Sequence, residues 1–166
     1  MPRLLHATFY QESFTISFLN SLACRLATLG PVGHLPKAPG TWGSLAAVVC
    51  APWLFLPWSL PLRLCILLVL FCVGAWSAQR YESRAGCKDP GQVVIDEVLG
   101  QWTALLFLGS ASFWILAAAF VLFRLLDMYK PWPIKASEKW LPAGWGVMLD
   151  DLLAGIISGL LLLLGH

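Results

Sequence analysis

Carboxylates occupy three places in this sequence where the neighbouring residues are strongly apolar. Seven of the nine acidic residues belong to these clusters, which are Glu82 with Asp89, Asp96 and Glu97, then Asp127, and then Asp150 with Asp151. Isolated charges in hydrocarbon are costly and persist where they are paired, hydrated or used in a function. The clusters are therefore candidate functional sites. Hydration at helix ends and pairing with nearby lysines is the simpler explanation, and it applies most readily to Glu82.

A hard divalent cation is the partner that such carboxylates suit best. Carboxylates brought together without a cation repel one another and raise one another's pKa. Mg²⁺ takes oxygen ligands, keeps several waters and commonly joins one or two carboxylates to a phosphate. The sequence therefore predicts a Mg²⁺ site with Asp89, Asp96, Glu97, Asp150 and Asp151 as candidate ligands. Adjacent helical residues point about 100° apart, so each adjacent pair shares one ion only at a helix end or across a wide cleft.

Basic side chains near these acids could bind a phosphate. Arg124 and Asp127 are three residues apart, and Lys130 continues the row before Pro131. Arg binds phosphate through its planar fork, and Lys neutralises it as a point charge. The alternatives are an ion pair between Arg124 and Asp127 that stabilises a helix end, and a Lys88 side chain that only extends towards water.

The segment GPVGHLPKAPGTWG at residues 30–43 contains four glycines and three prolines, which predicts an ordered loop rather than a helix. Ser44 is then the expected N-cap of the following helix. Lys37, Thr41 and Ser44 could donate hydrogen bonds to a phosphate at this helix N-terminus. The segment lacks the spacing of a nucleotide-binding P-loop, and a plain structural turn explains its composition equally well.

Composition places the chain among small membrane proteins with a single domain over residues 1–166. Hydrophobic residues make up 58% of the sequence and charged residues only 12%, far from the balance of soluble proteins. Nine tryptophans add side chains that favour membrane interfaces. A formal charge of +2 is too small to suggest a nucleic-acid partner. The five cysteines show neither metal-site spacing nor a disulfide framework.

Hydropathy divides the chain into an amphipathic N-terminal helix at 13–29, membrane helices at 45–60 and 62–78, and a last helix at 146–164. Residues 131–145 contain three prolines and three tryptophans and are expected to form an interfacial loop. These elements predict a small polytopic all-α membrane bundle.

Residues 98–123 are long enough for one tilted span, but Gly109-Ser110-Ala111-Ser112 interrupts them with small residues. Cationic residues flank the stretch on both sides, at Arg80, Arg84 and Lys88 and at Arg124, Lys130, Lys135 and Lys139. Because cationic loops stay on the cytoplasmic side, both ends of the stretch are expected to face the same way. This predicts a hairpin of two short helices of about 11 residues each, too short to cross the membrane separately. The three acidic clusters would then meet at one membrane face, whereas a single span would separate them.

Four motifs together resemble the phosphatidylglycerophosphatase A family, in matching order and at plausible spacing. They are GHLPKAPGTWGSL at 33–45, KDPGQVVIDEVLG at 88–100, FRLLDMYKPWPI at 123–134 and GWGVMLDDLLAG at 144–155. The resemblance implies an all-helical, Mg²⁺-dependent lipid phosphatase of the bacterial inner membrane. Such an enzyme removes the terminal phosphate of phosphatidylglycerophosphate. The family's acidic positions fall on Asp89, Asp96, Glu97, Asp127, Asp150 and Asp151, and its basic positions on Lys88, Arg124 and Lys130.

The expected reaction is attack of water on the phosphomonoester, assisted by Mg²⁺. Asp127 is expected to be a further ligand or the general base, and Arg124, Lys130 and Lys88 to offset charge on the phosphoryl oxygens. The site is expected on the cytoplasmic face. A phosphatase of another phosphomonoester lipid, such as phosphatidate, is the alternative within the same class. A small ion transporter would instead spread its carboxylates through the membrane depth, and a structural membrane subunit would not need clustered acids.

Overall fold

The structure is a computed structural model that describes residues 17–109 and 112–165. Within these residues the chain is helical and contains no strand, which confirms the predicted all-α class. Residues 17–27 form an N-terminal helical segment with exposed Phe18, Leu19 and Leu22 side chains. The start of the predicted amphipathic helix, at 13–16, lies outside the described residues. Its position at a membrane interface stays a prediction.

Six further α-helices are described, α1 (Pro39–Leu54), α2 (Leu60–Ala85), α3 (Ile95–Ala104), α4 (Phe113–Tyr129), α5 (Ile134–Ser137) and α6 (Gly144–Leu164). A short 3-10 turn, Val32–His34, precedes them. The short helix α3 is central, because it packs against α1, α2, α4 and α6. Nine of its ten residues are buried, so the polar groups on it are enclosed by the other helices.

Helix α1 starts earlier than predicted, at Pro39, so residues 39–43 are helical and Ser44 is not an N-cap. Proline is well suited to the first helical position, where its missing N–H removes no hydrogen bond. The glycines that suggested a loop allow close packing instead. A Cβ on Gly40 would lie 2.1 Å from Oε1 of Glu97, and one on Gly43 would lie 2.9 Å from Cβ of Val94.

Helix α2 is longer than predicted and continues to Ala85, so Arg80, Glu82 and Arg84 lie on its last turns. It ends at Gly86, whose φ of +70° is the left-handed conformation that commonly terminates helices. The drop in hydropathy after residue 78 marks the end of the apolar part of α2 but not the end of the helix.

The stretch at 98–123 contains a break and returns on itself, as predicted. Helix α3 ends at Ala104 and α4 begins at Phe113. A Cβ on Gly100 would lie only 2.3 Å from the ring of Phe123, so the two helices pack side by side. The alternative of one continuous span is wrong. The expected equal lengths are also wrong, because α3 has 10 residues and α4 has 17.

Arg63 closes the end of the bundle that lies away from the acidic clusters. It is 9% exposed and donates hydrogen bonds to the carbonyl oxygens of Leu56, Trp58 (2.9 Å), Leu106 (3.0 Å) and Leu108 (2.8 Å). These carbonyls lie in the segments that follow α1 and α3, outside the hydrogen bonding of either helix, and buried carbonyls there need a donor. A single arginine therefore joins the ends of three helices.

Helices α2 and α6 are long and apolar enough to cross a membrane, by length and composition. Their exposed residues are largely aliphatic, for example Leu64, Leu68 and Val69 on α2 and Leu160 and Leu161 on α6. Helix α1 has 16 residues and lies at Pro39–Leu54, so it begins and ends earlier than the membrane helix predicted at 45–60. The described part of the chain thus contains two candidate spans, in agreement with association with a membrane.

Candidate active site

The three acidic clusters converge on one cavity of about 360 Å³. Six carboxylates and one ammonium group line it, from Asp89, Asp96, Glu97, Asp127, Asp150, Asp151 and Lys130. The sequence-based prediction that these clusters meet is therefore confirmed. The α3–α4 turn is what makes the meeting possible, because it brings the chain back to the end of the bundle where α3 starts.

Close packing of α3 on α6 places two of the clusters side by side. A Cβ on Gly155 would lie 2.3 Å from the carbonyl oxygen of Gly100, so the two backbones are almost in contact here. Gly100 lies one turn after Asp96, and Gly155 lies one turn after Asp151. The small residues beside the acids therefore make room for a neighbouring helix.

Arg124 holds two of the carboxylates in place. Its Nη1 donates to both carboxylate oxygens of Glu97 and, at 2.9 Å, to Oδ2 of Asp127. Ser44 donates to Oε2 of Glu97 at 2.6 Å, so the predicted phosphate donor contacts a carboxylate instead. Arg124 is not among the residues that line the cavity. The ion pair between Arg124 and Asp127, one of the alternatives from sequence, is present and also includes Glu97.

Burial and the charge of Asp127 raise the pKa of Glu97 to about 7, although Arg124 and Ser44 oppose the shift. Burial also raises the pKa of Asp96, and the neighbouring Glu97 carboxylate adds to this effect. A raised pKa means that the charged forms are poorly compensated by the protein alone. Both groups would therefore gain from an added cation.

Lys130 is the cationic side chain among the described residues that line the cavity. Its Nζ donates to Oε1 of Glu138 at 2.8 Å and to Oδ2 of Asp150. Burial lowers the pKa of Lys130, but these hydrogen bonds outweigh it, so the pKa lies above its ordinary value. Lys130 is thus a permanent positive charge and not a proton acceptor. Glu138 was missed from sequence because it stands apart from the clusters, and no local pattern reveals that it meets Lys130.

Asp96 and Asp151 are buried carboxylates without a cationic partner among the described residues. They are 8% and 4% exposed. Oδ1 of Asp96 accepts the backbone N–H of Glu97 at 2.9 Å, and the carboxylate of Asp151 makes no hydrogen bond or ion pair within the described part of the chain. Burying a charge without compensation is strongly unfavourable. The cavity therefore has an excess of negative charge carried by oxygen atoms, which suits a hard divalent cation.

These oxygen atoms suit a Mg²⁺ site that water and substrate complete, rather than a site formed by protein ligands alone. Across residues 17–109 and 112–165, no three Asp, Glu, His or Cys side chains converge closely enough to hold an ion by themselves. Mg²⁺ usually relies on one or two carboxylates, with waters and substrate phosphate as the other ligands. Asp96 and Asp151 suit this role, whereas Glu97 and Asp150 are already bonded to Arg124 and Lys130.

The remaining predicted residues are divided between the cavity and the surface. Asp89 lines the cavity, and its backbone N–H donates to Oε1 of Glu82 at 2.9 Å. Glu82 therefore has a structural contact, as the simpler explanation held. Lys37, Thr41 and Lys88 do not line the cavity, and both lysines are exposed. Their contacts with phosphate stay predictions. The early start of α1 places Pro39 and Gly40, and not Lys37 or Thr41, at the cavity.

Comparison with known proteins agrees with the motifs. The model of the family "Phosphatidylglycerophosphatase A" matches residues 25–166. The chain is 41% identical to phosphatidylglycerophosphatase A of Escherichia coli, over 81% of this chain and 78% of that protein. It is 35% identical to phosphatidylglycerophosphatase A of Haemophilus influenzae, over 86% of this chain and 87% of that protein.

A third relative has a different name. The chain is 40% identical to a putative phosphatidylinositol-3-phosphatase of Bacteroides thetaiotaomicron, over 78% of this chain and 84% of that protein. No solved structure is significantly similar. Since the family model covers most of the chain and two relatives with the family's name match over most of their length, this chain belongs to the phosphatidylglycerophosphatase A family.

Proposed function

We propose that this protein hydrolyses the terminal phosphomonoester of phosphatidylglycerophosphate, releasing phosphate and phosphatidylglycerol. Family membership supports the reaction. The observation that carries the proposal is the pair of unpaired, buried carboxylates, Asp96 and Asp151, in the same cavity as the ammonium group of Lys130. The carboxylates suit a cation and the ammonium suits an anion, so the cavity can hold a metal ion and a phosphate together.

The proposed cofactor is Mg²⁺, held by Asp96 and Asp151, with Asp89 as a further oxygen donor at the cavity wall. When bound, it would supply Lewis-acid polarisation of the phosphoryl oxygens.

The protein's own groups would supply binding and proton transfer. Lys130, protonated at all ordinary pH values, would attract the phosphoryl oxygens and stabilise charge that develops on them. Asp127 lines the cavity with one oxygen bonded to Arg124, and its second oxygen makes no hydrogen bond within the described residues. That oxygen could accept a proton from the attacking water. Arg124 would act indirectly, by fixing the positions of Glu97 and Asp127.

The proposed setting is a bacterial inner membrane with the cavity on the cytoplasmic face. Helices α2 and α6 are candidate spans. Most lysines and arginines lie at the end of the bundle that holds the cavity, and loops rich in these residues favour the cytoplasmic side of a membrane. Exposed aromatic rings at the same end, on Tyr129, Trp132 and Trp140, suit the headgroup region. The cavity would then lie at the depth of a lipid phosphate.

The test is release of inorganic phosphate by the purified full chain, with and without Mg²⁺. We expect Asp96→Asn and Asp151→Asn to lower the rate by on the order of a hundredfold or more, as removal of one key electrostatic group does. Glu12→Gln, outside the region that matches the family, is the matched control and should keep full activity. Full activity of both aspartate variants, in protein that remains folded, would contradict the assignment of the site.

A second substrate has specific support from the relative named as a putative phosphatidylinositol-3-phosphatase. The same assay should therefore compare phosphatidylglycerophosphate with phosphatidylinositol 3-phosphate and phosphatidate. We expect the highest kcat/KM with phosphatidylglycerophosphate. A higher value for either other lipid would reassign the substrate while leaving the phosphatase chemistry in place. The ion-transporter alternative is disfavoured because the acids gather in one cavity, and ion flux without hydrolysis in proteoliposomes would revive it.

A further inference from the structure

A basic groove runs along the junction of the N-terminal helical segment with the last turns of α2. It consists of three adjoining cavities of about 610, 420 and 420 Å³, within the range of ligand-sized pockets. Arg84 lines the first two cavities, and Arg25 lines the second and third, so the three form one continuous surface. We call this surface, with Arg25, Arg80 and Arg84, the arginine groove.

Among the described residues, the charge of the arginine groove is uncompensated. Those that line it include three arginines and His34 but no Asp or Glu. Within the described residues none of the three guanidinium groups has an ion-pair partner, and Arg80 donates only to Oδ1 of Asn20, at 3.1 Å. Arg80 and Arg84 are four residues apart and therefore lie on the same face of α2. Neighbouring cations repel one another, and a bound anion would remove that repulsion.

Apolar side chains next to the arginines indicate the kind of anion. Trp76 lines the groove one turn before Arg80, on a helix that is a candidate membrane span. Phe18 and Leu22 do not line the groove, but they are exposed on the helical segment that forms its other wall. Tryptophan next to arginine at the end of a span is typical of the headgroup region, where arginines attract anionic lipids. A soluble anion would use the arginines but would leave these apolar side chains in water.

We propose that the arginine groove binds the headgroup of an anionic phospholipid, at a site separate from the active site. Among the described residues, none lines both surfaces. They lie at the same end of the bundle, since Glu82 on the last turns of α2 contacts Asp89 of the acidic cavity. A lipid held in the groove would fix the acidic cavity at headgroup depth. The proposal does not depend on the phosphatase reaction.

The test measures lipid binding directly, with the purified full chain in a neutral detergent. The probe is phosphatidylserine, an anionic lipid without the phosphomonoester of the proposed substrate. Phosphatidylcholine with the same acyl chains is the neutral comparison, and inorganic phosphate is the soluble anion. The readouts are retained lipid by native mass spectrometry and the shift of the thermal unfolding midpoint, because a ligand that binds the folded state raises Tm.

We expect the native protein to retain phosphatidylserine in preference to phosphatidylcholine. The double variant Arg80→Gln/Arg84→Gln should bind phosphatidylserine at least about tenfold more weakly. Each cation at a membrane surface contributes about fivefold to the affinity for an anionic lipid. The double variant Lys135→Gln/Lys139→Gln removes the same charge from exposed positions outside the groove and should bind like the native protein. Arg25→Gln, a single exposed change, repeats the test should the first variant fail to fold.

Three results would overturn the proposal. Equal retention of the two lipids would show that charge does not select the ligand. Equal loss in the arginine and lysine double variants would show only a general effect of net charge. Stabilisation by inorganic phosphate equal to that by phosphatidylserine would identify a site for a soluble anion and not for a lipid.

Discussion

Asp96 and Asp151 are the residues on which the chemistry of the cavity depends most. Each is buried, and neither has a cation beside it among the described residues. Of the other four carboxylates of the cavity, Glu97 and Asp127 are bonded to Arg124 and Asp150 is bonded to Lys130, whereas Asp89 is exposed. This division separates acids that are available to a metal ion from acids that arrange the site.

The raised pKa of Glu97 gives a pH dependence. In the metal-free protein the folded state holds the Glu97 proton more tightly than the unfolded state does, because the pKa rises from 4.5 to about 7. This contribution to stability is complete below about pH 4.5 and is lost as pH rises through about 7. In EDTA, Tm should therefore fall between pH 5 and pH 8.

Added Mg²⁺ should offset that fall, since a metal ion binds the deprotonated carboxylates. We expect Mg²⁺, at a concentration well above its Kd, to raise Tm by several degrees at pH 8 and by much less at pH 5. Thermal unfolding of the purified protein at both pH values measures the effect. Asp151→Asn should remove most of the gain at pH 8. A gain that is the same at both pH values would argue against metal binding by these acids.

Gly40 is the residue at which one methyl group should disturb the site. A Cβ there would lie 2.1 Å from Oε1 of Glu97, so Gly40→Ala must displace the carboxylate that Arg124 and Ser44 hold. We expect a loss of stability of about 1–3 kcal/mol, as for other overpacked sites, and a reduced rate of phosphate release.

Gly91→Ala is the matched control for this change. Gly91 also lines the cavity, but a Cβ there would meet nothing within 4 Å. It should keep the activity and stability of the native protein. If the two alanine variants behave alike, close packing at Gly40 does not matter to the site.

At the scale of the elements, the position of α3 is decided at both of its ends. Its first turn carries Asp96 and Glu97 into the acidic cavity. The turn after its last residue is held by Arg63, through the carbonyls of Leu106 and Leu108. Ten residues of helix rise only about 15 Å, so α3 ends inside the bundle, and the buried carbonyls of the turn that follows it need such a donor.

Removal of Arg63 should therefore destabilise the fold without direct loss of catalytic groups. We expect Arg63→Met to cost about 3 kcal/mol, since buried carbonyls that lose their donors each carry a penalty. Arg63→Lys should be intermediate, because an ammonium group has fewer donors and no planar fork. Thermal unfolding measures stability, and phosphate release measures activity.

The outcome that supports this role is a lowered Tm with kcat close to native at temperatures where the variant is folded. Native stability of Arg63→Met would show that water can satisfy the same carbonyls. A loss of kcat greater than the loss of folded protein would show that Arg63 also affects the geometry of the cavity.

At the scale of the whole molecule, the acidic cavity and the arginine groove lie at one end, and Arg63 lies at the other. The cysteines offer a test of the proposed orientation. All five are free, and Cys65 and Cys87 are both exposed, the first within the candidate span α2 and the second just after it. Exposure of Cys65 would mean contact with lipid, whereas exposure of Cys87 would mean contact with water.

Variants that keep only Cys65 or only Cys87 can be treated with a maleimide that does not cross membranes. We expect Cys87 to react only when the reagent has access to the cytoplasmic face. Cys65 should be unreactive from both faces, because the hydrocarbon of the bilayer excludes the polar reagent. Reaction of Cys87 from the outer face would reverse the proposed orientation while leaving the structure of the cavity unchanged.

The sequence by itself determined the helical class, the acidic clusters and the family, since these follow from composition and from motifs of a few neighbouring residues. It also predicted the turn within 98–123, because cationic flanks on both sides reveal that the chain returns. Helix ends were less predictable. Gly40 and Gly43 suggest a loop when read locally, whereas their small size serves the contact with α3.

Only the tertiary structure decided which charges are paired. Arg124 donates a hydrogen bond to Glu97, 27 positions away in the sequence. Lys130 donates to Glu138 and Asp150, which follow it by 8 and 20 positions. Such pairings depend on the packing of α3 against α4 and α6, and no local pattern of residues records them. The same packing leaves Asp96 and Asp151 buried without a partner. The sequence could place acids near one another, but burial and pairing separate the candidate metal ligands from the acids that hold the site together.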